Sequence, residues 1–428
     1  MANTELFVEE KITILEAARI LGVSPDTIRR WEKKKLIRST RSKKNYRLFD
    51  LKELQRIQNK YLGLGNKVEF KVLKSEKTKF TVIELFSGCG GMALGFENAG
   101  LNTEMLVEID KNAFNTLNKN RPLWKVKHQD IAQVDFTQYK DKIDVVAGGP
   151  PCQAFSYAGH SRGFEDTRGT LFFELARCVK EVKPKIVLVE NVRGLIRHDQ
   201  GKTLSTMLRT LEDIGYKPVH RLLRAQFLDV PQKRERVVIV AVRKDLDIPV
   251  LFPKEKDYTI SVREALRNCP KSDGATYPKR KGEILKLVPP GGYWRDLPID
   301  IQKEYMKRSF YLGGGKTGMA RRLSWDEPSL TLTCSPAQKQ TERCHPEETR
   351  PLTIREYARI QSFPDDWQFT GSTASQYKQI GNAVPVNLAY HIGRCLIAML
   401  EGTCNDKNME VEKNEFKVKE EIVQLQLF

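Results

Sequence analysis

The chain predicts an α/β body, a largely parallel sheet wrapped by helices, with a small helix-turn-helix unit ahead of it and an irregular insert within it. Three observations carry this. From about Phe80, apolar runs such as FTVIELF, IDVVAGG, KIVLVEN and RVVIVAV alternate with helical stretches including TLFFELARCVKEV and TLSTMLRTLEDIG. That is the pattern of strands buried on both faces beneath crossover helices. Before Phe80, two short helical periods meet at a glycine; from about Asp245, a stretch rich in Pro, Gly, Lys and Arg interrupts the alternation.

The 428 residues suggest two or three units, and 40% hydrophobic residues suffice for real cores. No uninterrupted apolar run approaches the roughly 20 residues a membrane helix needs. The N-terminal MANTELFVEEK lacks a basic segment followed by an apolar one. A soluble, cytoplasmic protein of a bacterial, nucleoid-associated kind is expected. The eight cysteines form no CxxC pair, so reduced thiols and no metal are expected; Cys334, Cys344 and His345 come nearest to a ligand cluster. The net charge is +18, and residues 1–80 hold 20 Lys and Arg against 10 Asp and Glu. More than half of the basic excess therefore lies in under a fifth of the chain, which points to nucleic acid as the partner.

Residues 1–66 read as that nucleic-acid unit. ITILEAARIL has apolar residues at helical spacing and ends at Gly22, and Ser24 with Pro25 opens a second helix, SPDTIRRWEKK. The second helix is expected to present Thr27, Arg29, Arg30 and Lys33 to DNA around a buried Ile28 and Trp31. A basic turn at Ser42 to Asn45, a return through Leu48 and Phe49, and a third helix from Asp50 follow. The arrangement resembles the winged helix of the MerR and excisionase type. A linker is expected over 67–79.

In VIELFSGCGGMALGF the first body strand runs straight into a turn at Gly88, Gly90 and Gly91. Glycines there let the backbone turn sharply and approach a ligand closely before the helix begins. About 20 residues on, MLVEID places Glu108 at a strand end, suited to a ribose diol, and HQDIAQV places Asp130 where an adenine amino group would donate. A nucleoside cofactor follows, and the short turn suits one without a pyrophosphate. GGPPCQAFS then sets Cys152 after another strand end, its loop stiffened by Pro150 and Pro151. VENVRGL adds Glu190 and Asn191, and QKRERVVIV adds Arg234 and Arg236, so thiol, carboxyl and guanidinium groups are expected on one rim.

The order ELFSGCGG, VEID, QDI, GGPPCQAFS, ENVRGL, QKRERV and QIGNAVPVN resembles the DNA cytosine-C5 methyltransferases of bacterial restriction–modification systems, over residues 80 to about 400. The resemblance implies a Rossmann-like fold dependent on S-adenosylmethionine, with a catalytic domain over 80–244, a target recognition domain over 245–345 and a closing part over 346–403. A charged tail over 404–428 completes the chain.

It implies that Cys152 adds to C6 of a flipped cytosine, that a buried, protonated Glu190 engages N3, and that Arg236 and Arg234 hold O2. By the same resemblance Phe86 packs on adenine, Leu171 touches the cofactor, and Asn382 and Ala383 lie by its methionine part. Ser87, Ile109, Ile131 and Pro151 complete the expected cofactor contacts. Residues 153–170 read as a lid over DNA, with Gln153 and Ser156 touching it. Arg295, Lys316, Arg321, Arg322 and Gln338 are expected base or phosphate contacts within the insert. Double-stranded DNA is the expected substrate, with operator DNA a second partner for the N-terminal unit and a monomer during catalysis. Two other readings stay open: a tRNA substrate, and a regulator whose methylase body is not catalytic.

Overall fold

The computed structural model of the protein describes residues 11–21, 25–33, 37–42, 45–62, 68–151, 171–313, 316–403 and 406–412. In the N-terminal unit, strand Lys11–Thr13 precedes helices Ile14–Leu21 and Pro25–Lys33, a hairpin of Ser39–Arg41 and Arg47–Asp50, and helix Leu51–Leu62. Arg47–Asp50 pairs antiparallel with both other strands. Ala17, Ile28, Ile37, Phe49 and Leu54 form the small core, with Trp31 half-buried against it. Asp50 caps the third helix by accepting from Glu53 N at 3.0 Å. Gly22 and Ser24 lie outside the described residues.

The body is a seven-stranded sheet. Its strands in chain order are β1 (Thr81–Leu85), β2 (Asn102–Glu108), β3 (Val126–His128), β4 (Val145–Gly148), β5 (Ile186–Val192), β6 (Tyr216–Arg224) and β7 (Glu235–Arg243). They lie in the order β3-β2-β1-β4-β5-β7-β6. All neighbours are parallel except that β7 runs antiparallel to both β5 and β6. Helices α1 (Gly91–Ala99), α2 (Lys111–Asn120), α3 (Leu171–Val182) and α4 (Lys202–Asp213) come from the first half of the body, and α5 (Ile354–Ile360), α6 (Thr373–Asn382) and α7 (Val386–Glu401) close it.

Alternate strand residues enter two cores. Val82, Val145, Leu188 and Val238 face α1 and α7, whereas Ile83, Val146, Val187 and Val237 face α3 and α4. Burial on both faces explains why these strands are apolar throughout, with no polar alternation. Helix α7 lies so close to α1 that a Cβ on Gly95 would meet Ala389 at under 3.0 Å. The stretch Thr373–Glu401 contains a window apolar enough on average to cross a bilayer, yet 78% of that window is buried within the body.

The insert has a core of its own, formed by Leu285, Val288, Trp294, Leu297, Met306 and Met319. Its margins belong to the body. Val250, Leu251 and Phe252 join the main core, and strand Leu251–Pro253 pairs with Met409–Val411 from the segment expected to be tail. The expected linker is likewise docked from residue 68 onward. Leu73 N donates to Asn387 Oδ1 at 3.0 Å, Asn387 Nδ2 donates to Lys71 O at 2.7 Å, and Ser75 N donates to Asn98 O at 2.7 Å. Phe70 and Val72 pack beside the closing helices. Lysine spacing suggested a solvated spacer, but the apolar residues between the lysines bind this segment to the body.

Asn387 also donates to the carbonyl of Asp229 at 2.8 Å. Asp229 is 5% exposed and adopts a φ of +56°. Its carboxylate meets His391 Nε2 at 2.7 Å and accepts from Tyr258 OH at 2.6 Å and from Lys256. Burial alone would raise its pKa, but these three partners outweigh it and draw the group from 3.8 down to about 2. A depressed folded-state value adds stability that is complete above the unfolded value and lost as pH falls through the folded one. At about 1.36 kcal/mol per unit the contribution is roughly 2 kcal/mol. Asp229→Asn is therefore expected to lower the melting temperature at pH 6 to 7, with the gap to the parent closing between about pH 4 and pH 2, as read by thermal unfolding across pH.

Candidate active site

The site lies along the carboxyl edge of the sheet. Beyond β1 the chain turns through Phe86 at φ +59°, Gly88 at φ +53° and Gly90 at φ +88° before α1 begins. A left-handed conformation is costly for phenylalanine and marks a position held by its surroundings. Gly91, the first residue of α1, lies against the last motif of the body. A Cβ there would stand under 3.0 Å from the carbonyl oxygen of Val384 and 3.1 Å from Ala383 Cβ. Segments at opposite ends of the body thus meet backbone to backbone.

The contact helps enclose a cavity of about 720 Å³. Phe86, Ser87, Gly88 and Gly91 line it from the first turn, and Glu108, Ile109, Asp130 and Ile131 from the next two strand ends. Pro151, Leu171, Asn382 and Ala383 line it as well. Of the expected cofactor residues only Gly90 is absent from the wall. A Cβ on it would meet Leu117 and Trp367, so it shapes the turn from behind. Glu108 is buried and accepts from Gly88 N at 2.6 Å and Asp110 N at 2.7 Å. Burial raises its pKa, with those amides pulling the other way. Asp130 is exposed and accepts from Ala132 N at 3.0 Å. Ile109 stands 65% exposed on the rim, an apolar surface suited to a flat ring.

Sequence reasoning missed Glu84. It sits within β1, 1% exposed, and its Oε2 has no hydrogen-bond partner. Burial, then the Glu108 charge, drive its pKa well above the usual range. The available signal was an acid inside the apolar run VIELF. A buried, unpartnered acid in a cavity wall marks a place where a ligand's polar or cationic group completes the bonding.

The other end of the same cavity carries Glu190, Arg234 and Arg236. The reversal of β7 explains their position. A parallel strand would start at the far edge of the sheet, whereas antiparallel β7 sets Arg236 opposite Val192 and Val238 opposite Glu190. Arg236 Nε meets Glu190 Oε1 at 2.7 Å, with both side chains 11% exposed. Arg236 Nη1 donates to Glu235 O at 2.8 Å, and both Arg236 and Glu190 line the cavity. Asn191 Nδ2 donates to Pro150 O at 3.0 Å, tying this strand end to the proline loop. Cys152, Gln153 and Ser156 lie outside the described residues; Pro151 is the last described position before them.

Two expectations need correction. Arg234 was expected to hold a substrate oxygen. It is 1% exposed, and its guanidinium donates to the carbonyls of Leu332, Gly381 and Ala383 at 3.0 to 3.3 Å. Arg322 was expected to contact DNA. It is 3% exposed and donates to the carbonyls of Leu285, Val288, His345, Glu347 and Glu348 and to Thr349 Oγ1. Every nitrogen of the Arg322 fork is taken up by these acceptors, whereas Arg234 spends Nη1 and Nη2 on main-chain carbonyls and keeps a buried Nε without a partner. Lys316 closes its own loop on the carbonyls of Ser309 and Leu312. Arg295 is exposed with its guanidinium 5.3 Å from the Trp294 ring, Arg321 is half-buried over Tyr293, and Gln338 is exposed. In the N-terminal unit Arg29 is exposed, and the side chains of Thr27, Arg30 and Lys33 lie outside the described residues.

With this geometry in place, comparison with known proteins is decisive. The family model for C-5 cytosine-specific DNA methylase matches residues 80–398. The chain belongs to that family. The methylase is 56% identical over 410 residues to the Type II methyltransferase M.Eco47II of Escherichia coli, covering 92% of this chain and 97% of that one. It is 48% identical to M.Sau96I of Staphylococcus aureus, covering 91% and 89%. Among solved structures, a DNA modification methyltransferase encoded within an E. coli prophage aligns with TM-score 0.56 and 27% identity, covering 76% of this chain and all of that one. A MerR family regulatory protein model matches residues 13–49. The methylase is thus a DNA cytosine-5 methyltransferase of the Type II kind with a MerR-like N-terminal unit.

Gly91→Ala is expected to cost about 1–3 kcal/mol through overpacking and to weaken ligand binding in the cavity. Gly282→Ala, whose Cβ would meet nothing within 4 Å, should leave both unchanged or slightly raise stability. Thermal unfolding with and without a cavity ligand distinguishes the two.

Proposed function

We propose that the methylase transfers a methyl group from S-adenosylmethionine to C5 of a cytosine flipped out of a short specific duplex site, protecting that site from a partner nuclease. One observation carries the reading: a single cavity runs from an acid-lined end at Glu84, Glu108 and Asp130 to the Glu190–Arg236 pair. The acid-lined end suits a cationic nucleoside. Glu108 has oxygens to accept a ribose diol, Asp130 an adenine amino group, and Phe86, Ile109 and Leu171 offer apolar surfaces to the ring. S-adenosylmethionine supplies an electrophilic methyl group to the site when bound.

The chain's own residues act on the base. The Cys152 thiolate bonds to C6, which raises electron density at C5 and makes it the nucleophile. The Glu190 carboxyl group engages the ring N3, and the Arg236 guanidinium donates to O2 and stabilises charge there. After transfer a base removes the C5 proton, the C6–S bond breaks, and the thiolate is restored. Arg234 works from behind, holding the wall in place. The N-terminal unit is proposed to bind operator DNA and control the methylase's own operon, on the strength of its MerR-like form and basic charge.

Labelled methyl groups are expected in duplex DNA as 5-methylcytosine and not in tRNA. Cys152→Ser should abolish transfer, and Glu190→Gln should lower turnover by about 10²–10⁴-fold. Label in tRNA, or full turnover by Cys152→Ser, would contradict the reading. Bisulfite sequencing of DNA from expressing cells maps the site in the same experiment.

A further inference from the structure

Gln232, Arg234 and Gln361 form a closed circuit of buried side chains that joins the recognition insert to the cavity wall. Each is at most 1% exposed. On the wall side, Gln361 Nε2 donates to Ile380 O at 2.6 Å and Ala383 O at 3.1 Å, and Arg234 Nη2 donates to Gly381 O at 3.1 Å and Ala383 O at 3.0 Å. On the insert side, Leu332 N donates to Gln232 Oε1 at 3.0 Å and Arg234 Nη1 donates to Leu332 O at 3.3 Å. Gln232 Nε2 donates to Gln361 Oε1 at 2.8 Å and closes the ring.

The geometry leaves little slack. Gln232 and Lys233 pair with Ser329 and Leu330, the strand by which the chain leaves the insert. A Cβ on Gly381 would collide with the Thr333 carbonyl at under 3.0 Å, so the exit strand lies directly on the turn. Gly381, Asn382 and Ala383 are themselves cavity wall. A shift of Leu332 or Thr333 therefore has no soft element to absorb it before it reaches the wall. Contiguous buried hydrogen-bond networks are one physical route by which two sites are coupled.

We propose that Gln232, Arg234 and Gln361 are positioning residues that couple the insert's grip on DNA to the shape of the methyl-donor cavity, so that the donor binds more tightly once the duplex is in place. This rests on the donor reading of the cavity given above. The circuit also assigns distinct roles. Gln361 and Arg234 bond the wall directly, whereas Gln232 bonds the insert side and reaches the wall only through Gln361.

The test is binding of S-adenosylhomocysteine, a donor analogue with no methyl to transfer, to the full chain with and without duplex carrying the mapped site. The parent is expected to bind it at least about 5-fold more tightly with duplex, the lower end of usual coupling. Gln232→Met should keep the duplex-free Kd within about twofold of the parent while the ratio falls to near 1. Gln361→Met should weaken binding even without duplex. Thr331→Val removes a bond from Thr331 Oγ1 to Lys233 O on the same link and supplies a milder variant should Gln232→Met fail to fold; its ratio should fall as well. A parent ratio near 1, or an undiminished ratio in a folded Gln232→Met or Thr331→Val protein, overturns the coupling. Failure of the analogue to bind the parent at all overturns the donor reading, and the coupling with it.

Discussion

The backbone of Gly91 against the carbonyl of Val384 is the contact on which the site depends. It brings the first turn of the body onto its last motif, and both line the cavity. Close approach of this kind leaves no room for a side chain and fixes the wall on both sides. Helix packing at Gly95 against Ala389 extends the same contact along α1 and α7. The tight apposition of the body's first turn and last motif explains why the cavity lies at the sheet edge and not on an open face.

Onto that edge the sheet delivers two kinds of chemistry. Parallel strands end there with Glu108, Glu190 and the proline loop, as doubly wound sheets do. Antiparallel β7 begins there, which is how Arg236 comes to meet Glu190 at 2.7 Å. The pair is almost fully desolvated on its protein side while its outer atoms face the cavity. A carboxyl group and a guanidinium held in that way are preorganised for a planar ring with adjacent donor and acceptor atoms.

Much of this was legible in the sequence. Strand boundaries followed from runs apolar on both faces, the glycine turn from its spacing, and the rim acids from their positions at strand ends. The N-terminal unit showed itself through its glycine stop and Pro25. What escaped was the destination of long side chains. Arg234 and Arg236 stand two apart in QKRER and both line the cavity, yet one is bonded to main-chain carbonyls and the other to the Glu190 carboxylate. Arg322 seemed a DNA contact by charge and region and is instead a hub for five carbonyls. Periodicity cannot foretell which buried carbonyls lack partners, because that depends on loops meeting across a hundred residues. Glu84 escaped because an acid in an apolar strand is read as an exception until its surroundings are known. The docked segment after residue 68 escaped because charge spacing masked Phe70 and Val72.

We propose Cys152 as the residue that bonds to the base beside the donor cavity. Duplex DNA with 5-fluorocytosine at the mapped site tests it most directly, since fluorine at C5 cannot be removed as a proton and the C6–S bond then cannot break. Incubation with methyl donor should trap the methylase on DNA in a denaturant-stable complex, with mass spectrometry locating the link on Cys152. A complex that fails to form, or a link on any other residue, would contradict the account.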